Sequence, residues 1–323
     1  MKYFCMNIAG TCCQGWSVEG HQKRSADPSE RPHAIWLCER EMAARLDLED
    51  AFIQECTTKY DASNILETMH ETHHTRRVMV CPKRLGYPAN RPRSFVIGIA
   101  KQRYIWCVSD DTQHDIENMF ARELRCDGSV FMSAENDEIH KEMSRAAACQ
   151  DNFWTDDMDC NDIIAKGQDL FGEIFCPGVY NRYVLWEEHR KKMGLAGKAF
   201  FSDLDHYPNS KGPSAGAEFP CTLRHGIVVA HHMRRVATPS EIIGSFGFHM
   251  HSATSKKWGI SPVEKHLKSL SRVAVMKLIG NGIHLPAFLL GSLHLHPVEH
   301  RQTRVPPMQE RHVPVRGGVR GLR

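Results

Sequence analysis

The chain has 323 residues, 41% of them hydrophobic and 24% charged, with a formal net charge of +3 at pH 7. That composition belongs to a globular protein with a sizeable core, and no run of about eighteen apolar residues is present to span a membrane. The opening MKYFCMNIAG is too short and too weakly charged for a secretory leader, so the twelve cysteines read as free thiols in a nuclear or cytoplasmic compartment rather than as a disulfide framework.

Taken in order, Lys2–Ala9 predicts a buried strand, followed by the glycine-bearing loop GTCCQGWSVEG, residues 10–20. A helix is expected from Asp27-Pro28-Ser29-Glu30. Asp27 can cap it, Pro28 suits its first turn, and Glu30 can reach back to complete a capping box. Ile35, Cys38, Met42 and Leu46 continue it at helical spacing. Ala51–Ile53 reads as a second strand ending at Gln54-Glu55-Cys56, and Ala62–His74 as a second helix. Val78–Val80 and Ser94–Ala100 read as further strands, separated by the turn-rich LGYPANRPR. Strand, helix, strand, helix, strand predicts an α/β sheet with crossovers.

Residues 101–230 lose this rhythm and read as an inserted, irregular region with a net charge of −8. Regularity returns from 231. Thr238-Pro239-Ser240-Glu241 is a second capping box. Ser261-Pro262-Val263-Glu264 is a third, opening a helix through Lys277 that Gly280-Asn281-Gly282 ends, and a short apolar helix is expected after Pro286. Residues 300–323, rich in arginine and proline, read as a disordered basic tail. Residues 231–323 carry a net charge of +10, which suits a phosphate-backbone partner and equally a solvated surface.

Four groups of residues can carry chemistry. Cys13 follows a strand end in a glycine-containing loop, where α/β folds place reactive groups; it is a thiolate nucleophile or an inert thiol. Glu55 ends the next strand, so it can face the same crevice as an acid or a hydrogen-bond partner, or face water. Arg91 and Arg93 alternate along one face before a strand, as a phosphate or a developing negative charge requires, or as a solvated pair would. His70-Glu71-Thr72-His73-His74 fits the histidine-glutamate-x-x-histidine zinc pattern at the end of a short helix, with no third ligand at a recognisable spacing, which leaves a zinc hydrolase as the last-ranked alternative.

In this order the segments resemble the DNA (cytosine-5) methyltransferase family. GTCCQGWSVEG resembles the family's catalytic loop, with Cys13 in the nucleophile's place and Gln14 beside it. Gln54-Glu55-Cys56 stands where the family has glutamate-asparagine-valine. LGYPANRPRSFVIG matches the arginine-x-arginine segment through Gly86, Pro88, Asn90, Arg91 and Arg93. Arg234–Phe248 resembles the family's threonine-proline-arginine-glutamate segment, and Gly280-Asn281 its terminal glycine-asparagine. The match covers roughly 5–100 and 230–296.

The resemblance implies a partial Rossmann-like, S-adenosylmethionine-dependent methyltransferase sheet, with a catalytic core over 1–100 and 231–299 and a target-recognition region over 101–230. It implies Cys13, Glu55, Arg91 and Arg93 as catalytic residues, with Gln14, Gly280 and Asn281 on the S-adenosylmethionine side. A cytosine flipped out of DNA, or of RNA, would be attacked at carbon 6 by Cys13, held at nitrogen 3 by Glu55 and at its carbonyl by Arg93, and methylated at carbon 5. Cys12, Cys56, Ala89 and Ser240 depart from the family's pattern, and a non-catalytic relative that binds DNA or protein is the alternative. The family's phenylalanine-x-glycine-x-glycine loop would lie upstream of Met1. The expectation is therefore weak or no cofactor binding, an unsatisfied sheet edge, poor stability, and a possible partner chain supplying the missing part.

Overall fold

The computed structural model describes residues 4–17, 20, 22–107, 109–148, 170–210, 215–221, 226–248, 266–267, 269–280, 282–284 and 298–299. The expected helix openings at 261–264 and after Pro286, residue Asn281 and the tail beyond 300 lie outside them.

The architecture is mixed α/β. Strand β1 (Met6–Gly10) leads through the loop that carries Cys13 to helix α1 (Arg31–Arg45) and back to β2 (Ala51–Cys56), parallel to β1 with Gly10 opposite Glu55. Helix α2 (Ser63–Met69) precedes β3 (His73–Val80), and β4 (Arg93–Ala100) runs antiparallel between β2 and β3, giving the order β1-β2-β4-β3. The sequence explains which strands are central. AFIQEC is buried throughout and SFVIGIA nearly so, as strands covered on both faces must be. One face packs Phe52 and Val96 on Leu37 and Ala44 of α1 and Ile65 and Met69 of α2. The other packs Ile53, Val78, Phe95 and Ile97 on Ile116 of α3 (Thr112–Phe120), which follows the short strand β5 (Tyr104–Ile105).

Three local expectations are corrected. The strand expected to be buried over Lys2–Ala9 is Met6–Gly10, and none of its residues is buried, because β1 lies at the edge of the sheet. The helix expected over Ala62–His74 ends at Met69, because His73 and His74 enter an eight-residue antiparallel ladder with β4 that satisfies more backbone groups than another helical turn would. The Asp27 cap is real, its side chain accepting from the Ser29 amide at 2.9 Å, but it opens a 3-10 turn over Pro28–Glu30. Glu30 is buried rather than closing a box, and α1 proper starts at Arg31.

The later part holds α4 (Asn136–Ala148), α5 (Leu170–Ile174) and α6 (Pro177–Lys192) against a second, antiparallel sheet. Its strands are β6 (Phe201–Asp203), β7 (Ala215–Gly216), β8 (Val228–Ala230) and β9 (Arg235–Val236), in the order β7-β6-β8-β9. Phe200 faces Phe171 and Trp186 on one side, while Phe201 faces Phe219, Ile242 and Met276 on the other, as alternation along a strand requires.

Helix α7 (Pro239–Gly244) carries the predicted capping box. Thr238 accepts from the Glu241 amide, and Glu241 accepts from the Thr238 amide at 2.9 Å. Arg235 adds a two-pronged ion pair to the same buried carboxylate at 2.7 and 2.9 Å. Helix α8 (Arg272–Gly280) and a strand β10 (Val298–Glu299) on β5 complete the described chain. Among the described residues no helix is long and apolar enough to cross a membrane.

Candidate active site

The C-terminal end of β2 organises the site. Glu55 is the fifth residue of that strand and is 7% exposed. The backbone of Thr11 donates to the Glu55 carbonyl at 3.1 Å, so the loop that leaves β1 begins directly beside it. Gln54 donates to Thr11 Oγ1 at 2.5 Å from the strand's other face. Cys13 comes two residues later and turns the chain at once: the amides of Trp16 and Ser17 donate to its carbonyl at 3.0 and 2.7 Å. Trp16 is then buried edge-on against Tyr60, 5.4 Å between rings, and anchors the loop in the core beneath it. Gly15 is required there. The Arg24 amide returns to the Gly15 carbonyl at 2.8 Å, and a Cβ on residue 15 would lie 2.7 Å from the Arg24 carbonyl oxygen.

Arg93 opens β4, the antiparallel neighbour of β2, and its Nε lies 2.9 Å from Glu55 Oε1. Arg91, 5% exposed, donates from Nη2 to the Gly282 carbonyl at 2.8 Å and lies 4.5 Å from the centre of the Phe246 ring. The two guanidiniums meet at the Cys221 sulfur, which Arg91 approaches to 3.5 Å and Arg93 to 3.7 Å. The turn that carries both arginines is strapped to the second sheet. Asn90 donates to the Phe219 carbonyl at 2.8 Å, and Phe219 donates to that of Pro88 at 2.9 Å.

Burial and these charges set the proton affinities. Burial pushes the Glu55 carboxyl above the ordinary carboxylate range, with Arg93 and Arg91 opposing it only in part. Burial also raises the Cys13 thiol; Arg93 pulls it down, while Cys12 and Glu55 add to the rise. Arg91 is pushed down to about 10 by burial, with Arg93 adding like-charge repulsion. Burial works against the Cys221 thiolate as well, yet the two arginines outweigh it and the thiol falls below its usual value. The pocket therefore holds a carboxyl that keeps its proton more readily than usual, a guanidinium in contact with it, and two thiols of opposite tendency.

Of the residues expected from sequence, Glu55 and Arg93 are in contact, Cys13 sits above them in their electrostatic reach, and Arg91 is the second arginine of the same cluster. Gln14 is exposed, Gly280 ends α8, and Asn281 is outside the described residues. Sequence reasoning missed Cys221, Phe246 and Gly282, which reach the arginines from 128 to 191 residues away along the chain. Nothing in the local pattern of FPCTLRHG marks Cys221.

The zinc alternative does not survive the geometry. His70 caps the end of α2, its Nδ1 2.6 Å from the Glu67 carbonyl, while His74 stands inside β3. The two histidines do not share a helix face, and no group of three potential ligands forms among the described residues.

A second cluster has the connectivity of a serine hydrolase. Ser202 Oγ lies 2.7 Å from His231 Nε2, and His231 Nδ1 lies 2.5 Å from Glu187 Oε1. Ser202 has no exposed surface and His231 is 2% exposed, so this is an internal polar network of the second sheet.

No family model and no curated protein matches the chain. Solved structures similar over most of its length include the following three. A DNMT2 mutant of Spodoptera frugiperda shares 13% identity at a TM-score of 0.41, covering 89% of this chain and 77% of that one. The methyltransferase EhMeth of Entamoeba histolytica shares 11% at 0.41, covering 89% and 75%. A prophage-encoded DNA modification methyltransferase from E. coli shares 15% at 0.44, covering 90% and 78%. Likenesses this distant assign no activity, and the functional reading rests on the chain's own residues.

Proposed function

We propose that this site activates cytosine in DNA by covalent attack of Cys13 at carbon 6, for methyl transfer to carbon 5. The observation that carries the reading is the Glu55–Arg93 contact at the end of β2, directly beneath the loop that presents Cys13. A cytosine placed there meets three kinds of group in the order its edges need. The protonated form of Glu55, favoured by burial, donates to ring nitrogen 3. The Arg93 guanidinium holds the ring carbonyl, and the Cys13 sulfur approaches carbon 6.

The residues are coupled. Glu55 as a carboxylate opposes ionisation of Cys13, whereas a Glu55 that holds its proton leaves the Arg93 charge free to favour the thiolate. Thiolate attack pushes the carbon 5–carbon 6 electrons onto carbon 5, which becomes nucleophilic. Carbon 5 takes up an electrophile, a solvent proton when no methyl donor is present, and loss of its original proton to a base then expels the sulfur as thiolate and restores the ring.

S-adenosylmethionine is the donor that the family resemblance implies. The described residues do not cradle it, since Gln14 is exposed and Gly280 is the last residue of α8, so no step is derived through it.

Activation can be measured without a donor. An oligonucleotide labelled with tritium at cytosine carbon 5 releases label to water when a thiolate adds reversibly at carbon 6. Release by the full chain and none by Cys13→Ser is the expected result, and equal release by both sinks the reading. The raised Cys13 thiol favours a second reading, a DNA- or protein-binding relative without chemistry. Retained binding of the oligonucleotide with no exchange by the unaltered chain selects it.

A further inference from the structure

The cluster of Arg91, Arg93, Glu55 and Cys221 is unbalanced if Cys221 is counted as a neutral thiol. Two guanidiniums then face two carboxyl groups, Glu55 in contact with Arg93 and Asp203 in electrostatic reach of the sulfur, and the Glu55 carboxyl is itself inclined to hold a proton. Arg91 is 5% exposed, and its Nε has no hydrogen-bond partner among the described residues. Excess buried positive charge is costly unless an anion lies within contact distance. The atom both forks approach is Cys221 Sγ, 3.5 Å from Arg91 Nη1 and 3.8 and 3.7 Å from the two terminal nitrogens of Arg93.

We propose that Cys221 is a second thiolate of this pocket, gripped between Arg91 and Arg93, and the position at which a small neutral electrophile, a hydroperoxide in particular, modifies the protein. The charged groups around it are Arg91 and Arg93, which favour the thiolate, and Asp203 at the end of β6, which opposes it; the guanidiniums prevail. Cys221 is half-buried.

The sulfur lone pair attacks one peroxide oxygen and the oxygen–oxygen bond breaks. The leaving hydroxide takes a proton from solvent, the sulfur is oxidised to a sulfenic acid, and the peroxide is reduced to water. The neutral sulfenic acid no longer balances the arginines, so Arg93 loses its sulfur contacts and is left with the Glu55 carboxyl and the Pro92 carbonyl. The assignment rests on the sulfur and its guanidiniums alone, and it is independent of the substrate that the pocket takes.

The test is peptide-resolved mass spectrometry on the folded full chain. Iodoacetamide labelling of Cys221 across pH should show a midpoint below those of the exposed Cys12 and Cys38, and Arg93→Gln should move that midpoint upward. After limiting hydrogen peroxide, dimedone should mark Cys221 in the unaltered chain and in Cys13→Ser, and should lose that mark in Arg93→Gln. A Cys221 midpoint at or above that of the exposed cysteines overturns the proposal, as does labelling of Cys221 only in urea. The unaltered chain gives both readouts, so a poorly folded Arg93→Gln does not spare the proposal. Loss of tritium exchange with normal Cys221 labelling would sink the cytosine reading and leave this one standing.

Discussion

Replacing Arg93 by methionine keeps an unbranched stem reaching about as far as Nε and removes the charge from the centre of the site. Glu55 then loses its contact at 2.9 Å, and the Cys221 sulfur loses one of its two guanidiniums. Removing one partner of a buried pair costs about 3–5 kcal/mol, and with 18% of the Arg93 side chain and 9% of the Glu55 side chain exposed the lower end, about 3 kcal/mol, applies.

The sign with pH follows from the carboxyl. Its folded pKa is already above the unfolded one, so protonated Glu55 contributes stability at low pH that is lost as pH rises through the unfolded and then the folded value. Without Arg93 the folded value rises further and the window of loss extends upward. Urea denaturation followed by circular dichroism should therefore show Arg93→Met more destabilised at pH 8 than at pH 5. The same substitution should cost less in a Glu55→Gln background, where no carboxylate is stranded. Equal destabilisation at both pH values, together with additivity in the double variant to within about 0.5 kcal/mol, would refute the coupling.

Three further outcomes follow from other parts of the structure. His73, 1% exposed and edge-on to Phe52, is pushed down to about 4 by burial, with Lys101 and His74 adding to the shift. The unfolded chain takes that proton below about pH 6.5 and the fold does not, so about 3 kcal/mol should be lost between pH 6.5 and 4 and recovered in His73→Gln, read by denaturant titration. A Cβ on residue 98 would lie 2.1 Å from Cε1 of the fully buried Phe52; Gly98→Ala should cost about 1–3 kcal/mol and lower Tm, and an unchanged Tm would show that the sheet yields there. A fluorophosphonate probe should leave Ser202 unlabelled in the native chain, and label found on its peptide would reopen a hydrolase reading for the Ser202–His231–Glu187 network.

The parts of this fold that were legible in the sequence are those whose causes are local. The capping box at Thr238–Glu241 is a four-residue device and formed as written. The apolar runs within AFIQEC and SFVIGIA were readable as strands, and the ladder then made them the central pair. Helix α2 was misjudged because its end is decided by a ladder with residues 93–100, which no window around His73 contains. Glu55 and Arg93 could be placed together because strand ends are readable and antiparallel neighbours are close. Cys221 could not, since its value comes from two guanidiniums about 130 residues away and nothing in its own neighbourhood announces them.

The strap between Pro88–Asn90 and Phe219 has a consequence for how the chain acquires its pocket. The segment that aims Arg91 and Arg93 is held by backbone bonds to a residue more than a hundred positions later. Closing so large a loop is slow, and its entropy must be met before the contact contributes anything. Cys13, Glu55 and Arg93 can therefore reach their places early, on the first sheet, while Arg91 acquires its own only once the later segments that hold it have assembled. During biosynthesis the chain would pass through a stage with its sheet formed and its charged centre open, and competence would arrive last, with the far half of the protein.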